Sequence, residues 1–541
     1  MVRLLVVGLM SLSALAQVSD TTPLAISDPG FVTFDAACSS AAAKGLTLMV
    51  TRKWPRLPTQ TCGASIDFRY GGMLQPAAGQ IITLKGNSNC PQLRQCYDLS
   101  LSGSSGVVFA SAPSSFTPQN TGAKEDSVSD DTASMNLAMS VALANRIPLI
   151  LPGGTFRVTA ASAGKLLSVT IGGNNFSMIG AGSGATVIST ATAGADLLTI
   201  EGDGNPVVTL KGFYLQGPDA ATNPPCRSAS SGNGLYLTGG RGAAIVHMDD
   251  IQAYGFCGSG KAGIWLDAFE NGSVSNVIAQ RDNIGMKWTT APNQNILTTG
   301  LFGANRTYAM EIDGCQSSTV SNTTMQSNYG TALYLNSSAG CSFINDHFEN
   351  NNTSKAAGNH SVFMDATGSV IRNNSFTGGT LSGPYADIYM KGNLQHATTG
   401  NFFSAIETGS GPIGYGMPMV IEDGPEIGDN YFFLQVAYGA GNTAGYKKIN
   451  NTEGRFAGME VTDILCGSYR ANTNACYFPR IAPTYGTYKQ VVTAYPLPNL
   501  GQMATFTDAT VNTWGAYVTV GGGTYKVLCW FDGNGWSVMG K

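Results

Sequence analysis

Apolar residues in this chain recur as short apolar-x-apolar triplets, not as the long stripes of helices. Through the middle they read Leu235-Tyr-Leu237, Ile264-Trp-Leu266, Met286-Lys-Trp288, Met310-Glu-Ile312, Leu333-Tyr-Leu335, Val362-Phe-Met364, Ile388-Tyr-Met390 and Met419-Val-Ile421. The steps between them are 29, 22, 24, 23, 29, 26 and 31 residues. A second register runs in phase with the first: Asp250, Asn276, Thr299, Asn322, Asn345 and Asn373, at steps of 26, 23, 23, 23 and 28. Three residues beyond each of these stand Ala253, Ala279, Phe302, Met325, Phe348 and Phe376, with Phe403 continuing the series. Strand triplets repeating at this period, with Gly, Asn and Ser between them, predict a solenoid of parallel strands with one coil per repeat. Each coil would lie ~4.8 Å above the last, so that equivalent positions form columns. Inward columns of Leu, Ile, Met and Phe would make the core. The recurring Asn suits bends, because it tolerates left-handed backbone and can hydrogen-bond to its counterpart in the next coil.

Upstream, Gly122-Ala-Lys-Glu-Asp-Ser-Val-Ser-Asp130-Asp131-Thr-Ala precedes a stretch with helical periodicity at Met135, Ala138 and Val141, and Asp130 or Asp131 is a natural N-cap. A strand-like Ile147-Pro-Leu-Ile-Leu-Pro-Gly-Gly-Thr-Phe-Arg-Val158 follows. This run resembles the N-terminal module of the pectate-lyase-like right-handed parallel β-helix superfamily, approximately G-A-x-x-D-x-x-x-D-D-T-A, a short helix, then a strand with P-x-G-x-Y/F. The resemblance covers about 40 residues, and the coil pattern extends it to roughly 122–450. It implies an all-β, right-handed parallel β-helix whose short N-terminal helix caps the solenoid, with Asp130 and Asp131 in structural roles and an extracellular carbohydrate as substrate. The superfamily spans lyases, glycoside hydrolases, epimerases and phage tailspike depolymerases, so the resemblance specifies fold more than chemistry.

The full domain reading is a signal peptide at 1–16, an N-terminal β segment or first coil at 17–121, the β-helix at 122–454 and a small C-terminal antiparallel β module at 455–541. The leader rests on Arg3, the apolar run Leu4 to Leu15, and Ala14-Leu-Ala16 before Gln17. Eleven cysteines fit an oxidising compartment, secreted or periplasmic. Their spacing favours local pairs, Cys38 with Cys62, Cys90 with Cys96, Cys226 with Cys257, Cys315 with Cys341 and Cys466 with Cys476, leaving Cys529 over. Only 12% of the 541 residues are charged, with a net charge of −4, which argues against a disordered or nucleic-acid-binding chain. The 68 glycines find their place in the tight bends of the coils.

In each triplet the middle residue points outward. That row reads Tyr236, Trp265, Lys287, Glu311, Tyr334, Phe363, Tyr389 and Val420, an aromatic-rich surface suited to stacking on sugar rings or to packing beneath loops. The following residues form a second row, Thr238, Asp267, Thr289, Asp313, Asn336, Asp365, Lys391 and Glu422. Glu311 and Asp313 would face one side ~6.6 Å apart, and Asp267 would lie two coils from Asp313, ~9.6 Å. Glycoside hydrolysis uses two carboxylates, separated by ~6.5 to 9.5 Å for inversion and ~5 Å for retention. The catalytic candidates are therefore Glu311 as the acid, favoured beside Tyr334, with Asp313 or Asp267 activating water and Asp365 near the same face. Trp265, Lys287, Tyr334, Tyr389 and Tyr236 are the candidate substrate-binding residues. An alternative pair, His347 and Glu349, sits on the next face.

Met248-Asp249-Asp250 resembles the paired aspartates of polygalacturonases, but the rest of that pattern, N-T-D, G-H-G and R-I-K, is absent. A lyase would use Lys287, Arg281 or Arg306 as base, with calcium as its one conceivable cofactor; otherwise no metal or cofactor is expected. Gly180-Ala-Gly-Ser-Gly184 reads as a β-helix turn. The expected partner is a polysaccharide, with no nucleic acid and no membrane after leader removal, in a monomer or homotrimer. The function read from the sequence is a secreted polysaccharide-cleaving glycoside hydrolase, with a lyase or a non-catalytic carbohydrate-binding adhesin as alternatives.

Overall fold

A computed structural model describes residues 25–409 and much of 420–449, with short internal gaps, and 484–540 apart from 495–502. The leader, Cys466 and Cys476 lie outside the described residues. The chain divides into two compact units, 1–465 and 466–541.

The first unit is built almost wholly of parallel strands that pair coil on coil. One sheet runs in the order Lys165–Gly172, Asp196–Gly202, Leu235–Thr238, Ala262–Asp267, Ile284–Thr289, Tyr308–Gln316, Thr331–Ala339, Val362–Asp365, Ile388–Lys391, Val420–Asp423 and Tyr446–Ile449. The predicted triplets are these strands. Leu235, Ile264, Met286, Met310, Leu333, Val362 and Ile388 stand in register and are all buried. The last triplet is a correction: Ile388 pairs with Val420 and Tyr389 with Ile421, so Val420 points inward and Asp423, not Glu422, follows Lys391. A one-residue slip exchanges the two faces of a strand.

A longer sheet of 17 strands forms the second wall. Its bends carry columns of left-handed residues. Asp250, Asn276, Thr299, Asn322 and Asn345 all have φ between 52° and 58°, which bears out the bend reading. Their column continues to Gly378, not to Asn373, because Ile344 pairs with Thr377. A Cβ at Gly378 would meet Asn345 Oδ1 at 2.3 Å, so the column ends on the one residue that fits. Asn373 belongs instead to the column of Asn271, Gln294, Ser317 and Gly340. The same slip separates Phe376 from Phe348: Phe343, Phe376 and Phe403 stack ring on ring at 4.5 Å, while Leu381 continues the column of Phe348. The 28-residue step from Asn345 to Asn373 thus joins two different corners, because the longer coil gained residues between them.

The amide contacts between coils are made chiefly by a different set, buried inside the turns. Backbone N–H groups of Asp282, Asn305 and Asn328 donate to the side-chain oxygens of Asn305, Asn328 and Asn351 at 3.0, 2.9 and 3.3 Å. Cys341, Asn374 and Asn401 bond in the same way to Asn374, Asn401 and Asn430, at 3.0, 3.1 and 3.1 Å. Each such amide replaces the water that a bend at the surface would have used.

The helix Thr132–Asn145 lies at the start of this solenoid. Asn136 holds its first coil through Leu166 O and Ser168 N, both at 2.8 Å. Asp131 takes the N-cap position, yet its buried carboxylate accepts from the amides of Lys124 and Glu125, at 2.7 and 3.2 Å, while Asp130 accepts from Thr132 N. Both aspartates are therefore structural. The other side of the helix meets the N-terminal segment: Asn145 accepts from Phe109 N at 2.7 Å and donates to Val107 O at 3.3 Å. That segment is a short solenoid of its own. Leu48, Ile66 and Ser88 form one ladder, and Thr61, Thr83 and Val108 another, behind a helix at Phe34–Ala43.

The disulfides Cys38–Cys62, Cys90–Cys96, Cys226–Cys257 and Cys315–Cys341 form as the spacing indicated, and Cys529 is free and buried. The second unit contains a four-stranded sheet, Thr484–Gly486, Met503–Ala509, Tyr525–Phe531 and Trp536–Gly540. Its last three strands are antiparallel as expected, the first pairs parallel, and a helix at Tyr488–Ala494 was not legible in the sequence.

Two acids interrupt the neutral interior of the turns. Asp282 and Asp346 each accept one backbone amide through Oδ1, from Phe256 and Thr323 at 2.8 and 2.9 Å, and leave Oδ2 without a partner. Burial pushes the Asp282 carboxyl well above its usual range and that of Asp346 up to about 8. The folded state therefore retains a proton that the unfolded chain releases near 4, so the stability contributed at Asp346 is lost as pH rises toward about 8. Asp346→Asn is expected to stabilise the protein by ~1–3 kcal/mol at pH 8 and hardly at pH 4; thermal melts at the two pH values check this, and an equal effect at both would refute it.

Candidate functional site

The outward row of the first sheet brings the predicted residues onto one face. Tyr236, Trp265, Lys287, Glu311, Tyr334, Phe363 and Tyr389 follow one another coil by coil, each partly exposed. Their neighbours two coils upstream, Ser168 and Thr199, are small and polar, so the aromatic run starts at Tyr236.

Consecutive side chains touch. The rings of Tyr236 and Trp265 are 4.9 Å apart, the Lys287 ammonium lies 4.8 Å from the Trp265 ring, and it pairs with Glu311 at 2.9 Å. Glu311 thus has a cationic partner as well as the expected neighbour Tyr334. Tyr334 is stacked on Tyr308 at 4.7 Å and meets Phe363 edge-on at 5.3 Å. Phe363 meets Tyr389 at 5.1 Å, and Tyr389 is stacked at 4.5 Å on the buried His360.

A second device was not read from the sequence. The phenols of Tyr236, Tyr334 and Tyr389 donate to carboxylates of the next coil, Asp267 at 3.4 Å, Asp365 at 3.3 Å and Asp423 at 2.6 Å. The separations of 31, 31 and 34 residues are one coil plus two positions or so, and this Tyr-to-Asp spacing is the signal that could have revealed it. Asp267 also accepts from Thr238 at 3.4 Å, Thr289 at 2.8 Å and Thr290, while the Trp265 indole N–H donates to Thr289 at 2.7 Å. Asp365 accepts from the amide and hydroxyl of Thr367 at 3.1 and 2.7 Å.

Burial, then the charge of Asp267, raises the Tyr236 phenol above its ordinary range. Burial and Asp365 do the same to Tyr334, and burial and the bond to Asp423 to Tyr389. The Tyr308 phenol is raised by burial, with Glu311 and Asp365 adding to it. At neutral pH all four therefore stay protonated, and Tyr236, Tyr334 and Tyr389 donate. Glu311 stands one coil before Tyr334 and Asp365 one coil after it, and both charges act on Tyr334 and Tyr308.

Asp313 lies two residues beyond Glu311 on the same outer side, flanking the buried Ile312, but an irregularity follows: Asp313 pairs with Ser337, leaving Asn336 out of the second row. Lys391 stands in register between Asp365 and Asp423. The alternative pair is elsewhere, on the long sheet. His347 Nε2 contacts Glu349 at 3.1 Å, and the opposite ring nitrogen meets the Thr380 hydroxyl. Asp249 and Asp250 are engaged in holding loops: Asp249 pairs with Lys211 at 3.0 Å, and Asp250 accepts from the amide and hydroxyl of Ser183 at 3.0 and 2.5 Å, fixing the Gly180–Gly184 turn.

A family model described as periplasmic copper-binding protein (NosD) matches residues 221–460. The chain is a right-handed parallel β-helix protein. This agrees with the resemblance to the pectate-lyase-like superfamily carried by the N-terminal module. No curated protein matches the chain. Among solved structures, ORF18 of Geobacillus virus E2 is 16% identical with a TM-score of 0.36, over 62% of this chain and 60% of that one. The Dettilon tailspike protein is 13% identical with a TM-score of 0.42, over 62% and 68%. DFA-IIIase from Arthrobacter chlorophenolicus A6 is 10% identical with a TM-score of 0.42, over 59% and 86%. This β-helix thus spans less than two thirds of the Geobacillus virus chain.

Copper would call for imidazole, thiolate or thioether ligands gathered together. Among the described residues no three His, Cys, Asp or Glu side chains gather in that way. His247 is bonded to Ser273, His347 to Glu349 and Thr380, and eight cysteines are in disulfides. Met286, Met310, Met364 and Met390 are wholly buried in the core. The described residues of this β-helix do not fit a copper site.

Replacing Asp365 by Asn will lower the ionisation pH of the Tyr334 phenol toward its ordinary range, with burial still holding it above. An ultraviolet difference titration checks this, and an unchanged titration would show that the two groups do not interact.

Proposed function

We propose that this protein binds a polysaccharide along the outer face carrying Tyr236 to Tyr389 and cleaves it by hydrolysis. One observation carries the reading: partly exposed aromatic rings and carboxylates alternate over successive coils on one sheet, interlocked by phenol-to-carboxylate bonds. Rings of this kind stack on the C–H faces of sugars, and acceptors between them take sugar hydroxyls.

In this reading Trp265 and Tyr334 hold sugar rings on either side of the Lys287–Glu311 pair. Glu311 is the proton donor, and Asp365, two coils further on and bonded to the Tyr334 hydroxyl, activates water, with Asp313 the alternative in that role. Asp267, surrounded by hydroxyl donors, fixes the upstream part of the track. The four disulfides support an oxidising compartment, extracellular or periplasmic.

Hydrolysis is preferred over elimination because the basic candidates are engaged. Lys287 lies between Glu311 and Trp265, Arg281 lies 5.2 Å from the Tyr254 ring, and Arg306 donates to Cys226 O at 3.4 Å. Incubation with a glycan panel and product analysis tests the proposal. New reducing ends without an unsaturated, ultraviolet-absorbing product are expected; the unsaturated product would establish a lyase, and retention without turnover an adhesin.

Glu311→Gln and Asp365→Asn should each lower kcat by about 10²-fold or more while glycan binding persists. Trp265→Ala should weaken binding about tenfold, ~1.4 kcal/mol, measured by affinity electrophoresis. If both carboxylate variants keep full activity, the assignment of the pair fails.

A further inference from the structure

The row beside the aromatic track carries acids at a fixed interval. It reads Thr170, Glu201, Thr238, Asp267 and Thr289, each in register with the next. Asp313 follows on the next strand, and beyond one further strand Asp365, Lys391 and Asp423 again stand in register. Glu201, Asp267, Asp313, Asp365 and Asp423 therefore recur on every second of nine successive strands, ~9.6 Å apart. All five are partly exposed. Repulsion between like charges in adjoining coils disfavours a shorter step. It would be relieved equally by longer or unequal ones, so repulsion alone does not set a regular step of two.

The row is also acidic on balance. With Glu311 the face holds six carboxylates, against the ammonium groups of Lys165, Lys287 and Lys391. Lys165 is paired with Glu201 and Lys287 with Glu311. The bonds that Asp267, Asp365 and Asp423 accept from tyrosine and threonine come from neutral hydroxyls, which orient the carboxylates and leave their charge in place.

Charge of one sign at a regular step selects the ligand. A polyuronate would lay like charges along the row. Bridging the two through a divalent cation would call for several carboxylates gathered at one point, and among the described residues no three such groups gather. An uncharged chain gains nothing from charge that returns at a fixed interval. A chain of amino sugars does. In an extended β-1,4-linked chain each ring is flipped relative to the last, so the amines on one edge return on every second sugar, a repeat close to two coils. The rings of Trp265, Tyr334 and Tyr389 would meet the C–H faces of the same sugars.

We propose that the track takes an extended, β-1,4-linked polysaccharide of amino sugars, whose ammonium groups meet the carboxylates of every second coil. This rests on the reading of the outer face as a glycan track and adds the class of its substrate.

The test uses the full chain carrying Glu311→Gln, so that binding is measured without turnover. Calorimetry at about pH 6, where the carboxylates are ionised, compares β-1,4-linked glucosamine hexamers with their N-acetylated counterparts of the same length. Polylysine and polygalacturonate, the latter with and without calcium, serve as controls. The free-amine hexamer should bind tenfold or more tighter than the acetylated one, and about 0.5 M salt should remove most of that difference. Adding Glu201→Gln/Asp423→Asn should cost the free-amine hexamer several-fold and leave the acetylated one unchanged, whereas adding Trp265→Ala should weaken both. Equal affinity for the two hexamers, tighter binding of polygalacturonate, or equal binding of polylysine would each overturn the proposal while leaving the track in place. Binding of no glycan, or binding indifferent to Trp265→Ala, would overturn the track itself and this proposal with it.

Discussion

The first unit is organised throughout by the parallel ladder between successive coils. Parallel pairing sets one residue above its equivalent at a fixed spacing, so a side chain chosen once per coil becomes a column. Apolar columns make the core, amide columns satisfy the buried backbone of the turns, and the outward row of one sheet becomes the candidate site. None of the site residues needs a strained backbone or a long loop to reach its neighbour. The contacts from Tyr236 to Tyr389 arise because adjacent coils already hold these rings within reach.

The same constraint explains where acids are tolerated. On the outer face Asp267 and Asp365 are surrounded by hydroxyl donors, and Glu311 by an ammonium, so each has partners. Inside the turns an acid at a position where its neighbours use Asn has one oxygen too many and no proton to give unless it keeps its own. Asp282 and Asp346 are in that position, each with one oxygen unpartnered. At these two positions burial therefore favours the neutral form of the carboxyl.

The fold was legible because periodicity survives in a single sequence. Seven of the eight triplets lie where the spacing put them, and the left-handed bends at Asp250, Asn276, Thr299, Asn322 and Asn345 could be read from residue type. The failures at Val420, Asn373 and Phe376 share one cause: a longer coil can gain residues at any of its corners, and a step length does not say which. The N-terminal segment was expected as a β segment or first coil, but its several short coils were not read, because their strands are only two to five residues long and lack a repeated marker. At the site, the outward row could be listed in advance, but the Lys287–Glu311 pair and the phenol-to-carboxylate bonds depend on rotamers that a pattern of residue types does not encode. Tyr308 and His360 were missed since each lies outside the triplet that defines its strand.

Three of the four disulfides join cysteines 24, 31 and 26 residues apart, about one circuit of the chain, and the fourth closes a six-residue step. Among the described residues no disulfide ties one end of the solenoid to the other. Whole coils could therefore be duplicated or lost between the cross-links during evolution without leaving a cysteine unmatched. The length of the outward row is then free to drift by whole coils, as a ruler can be extended by repeating its divisions.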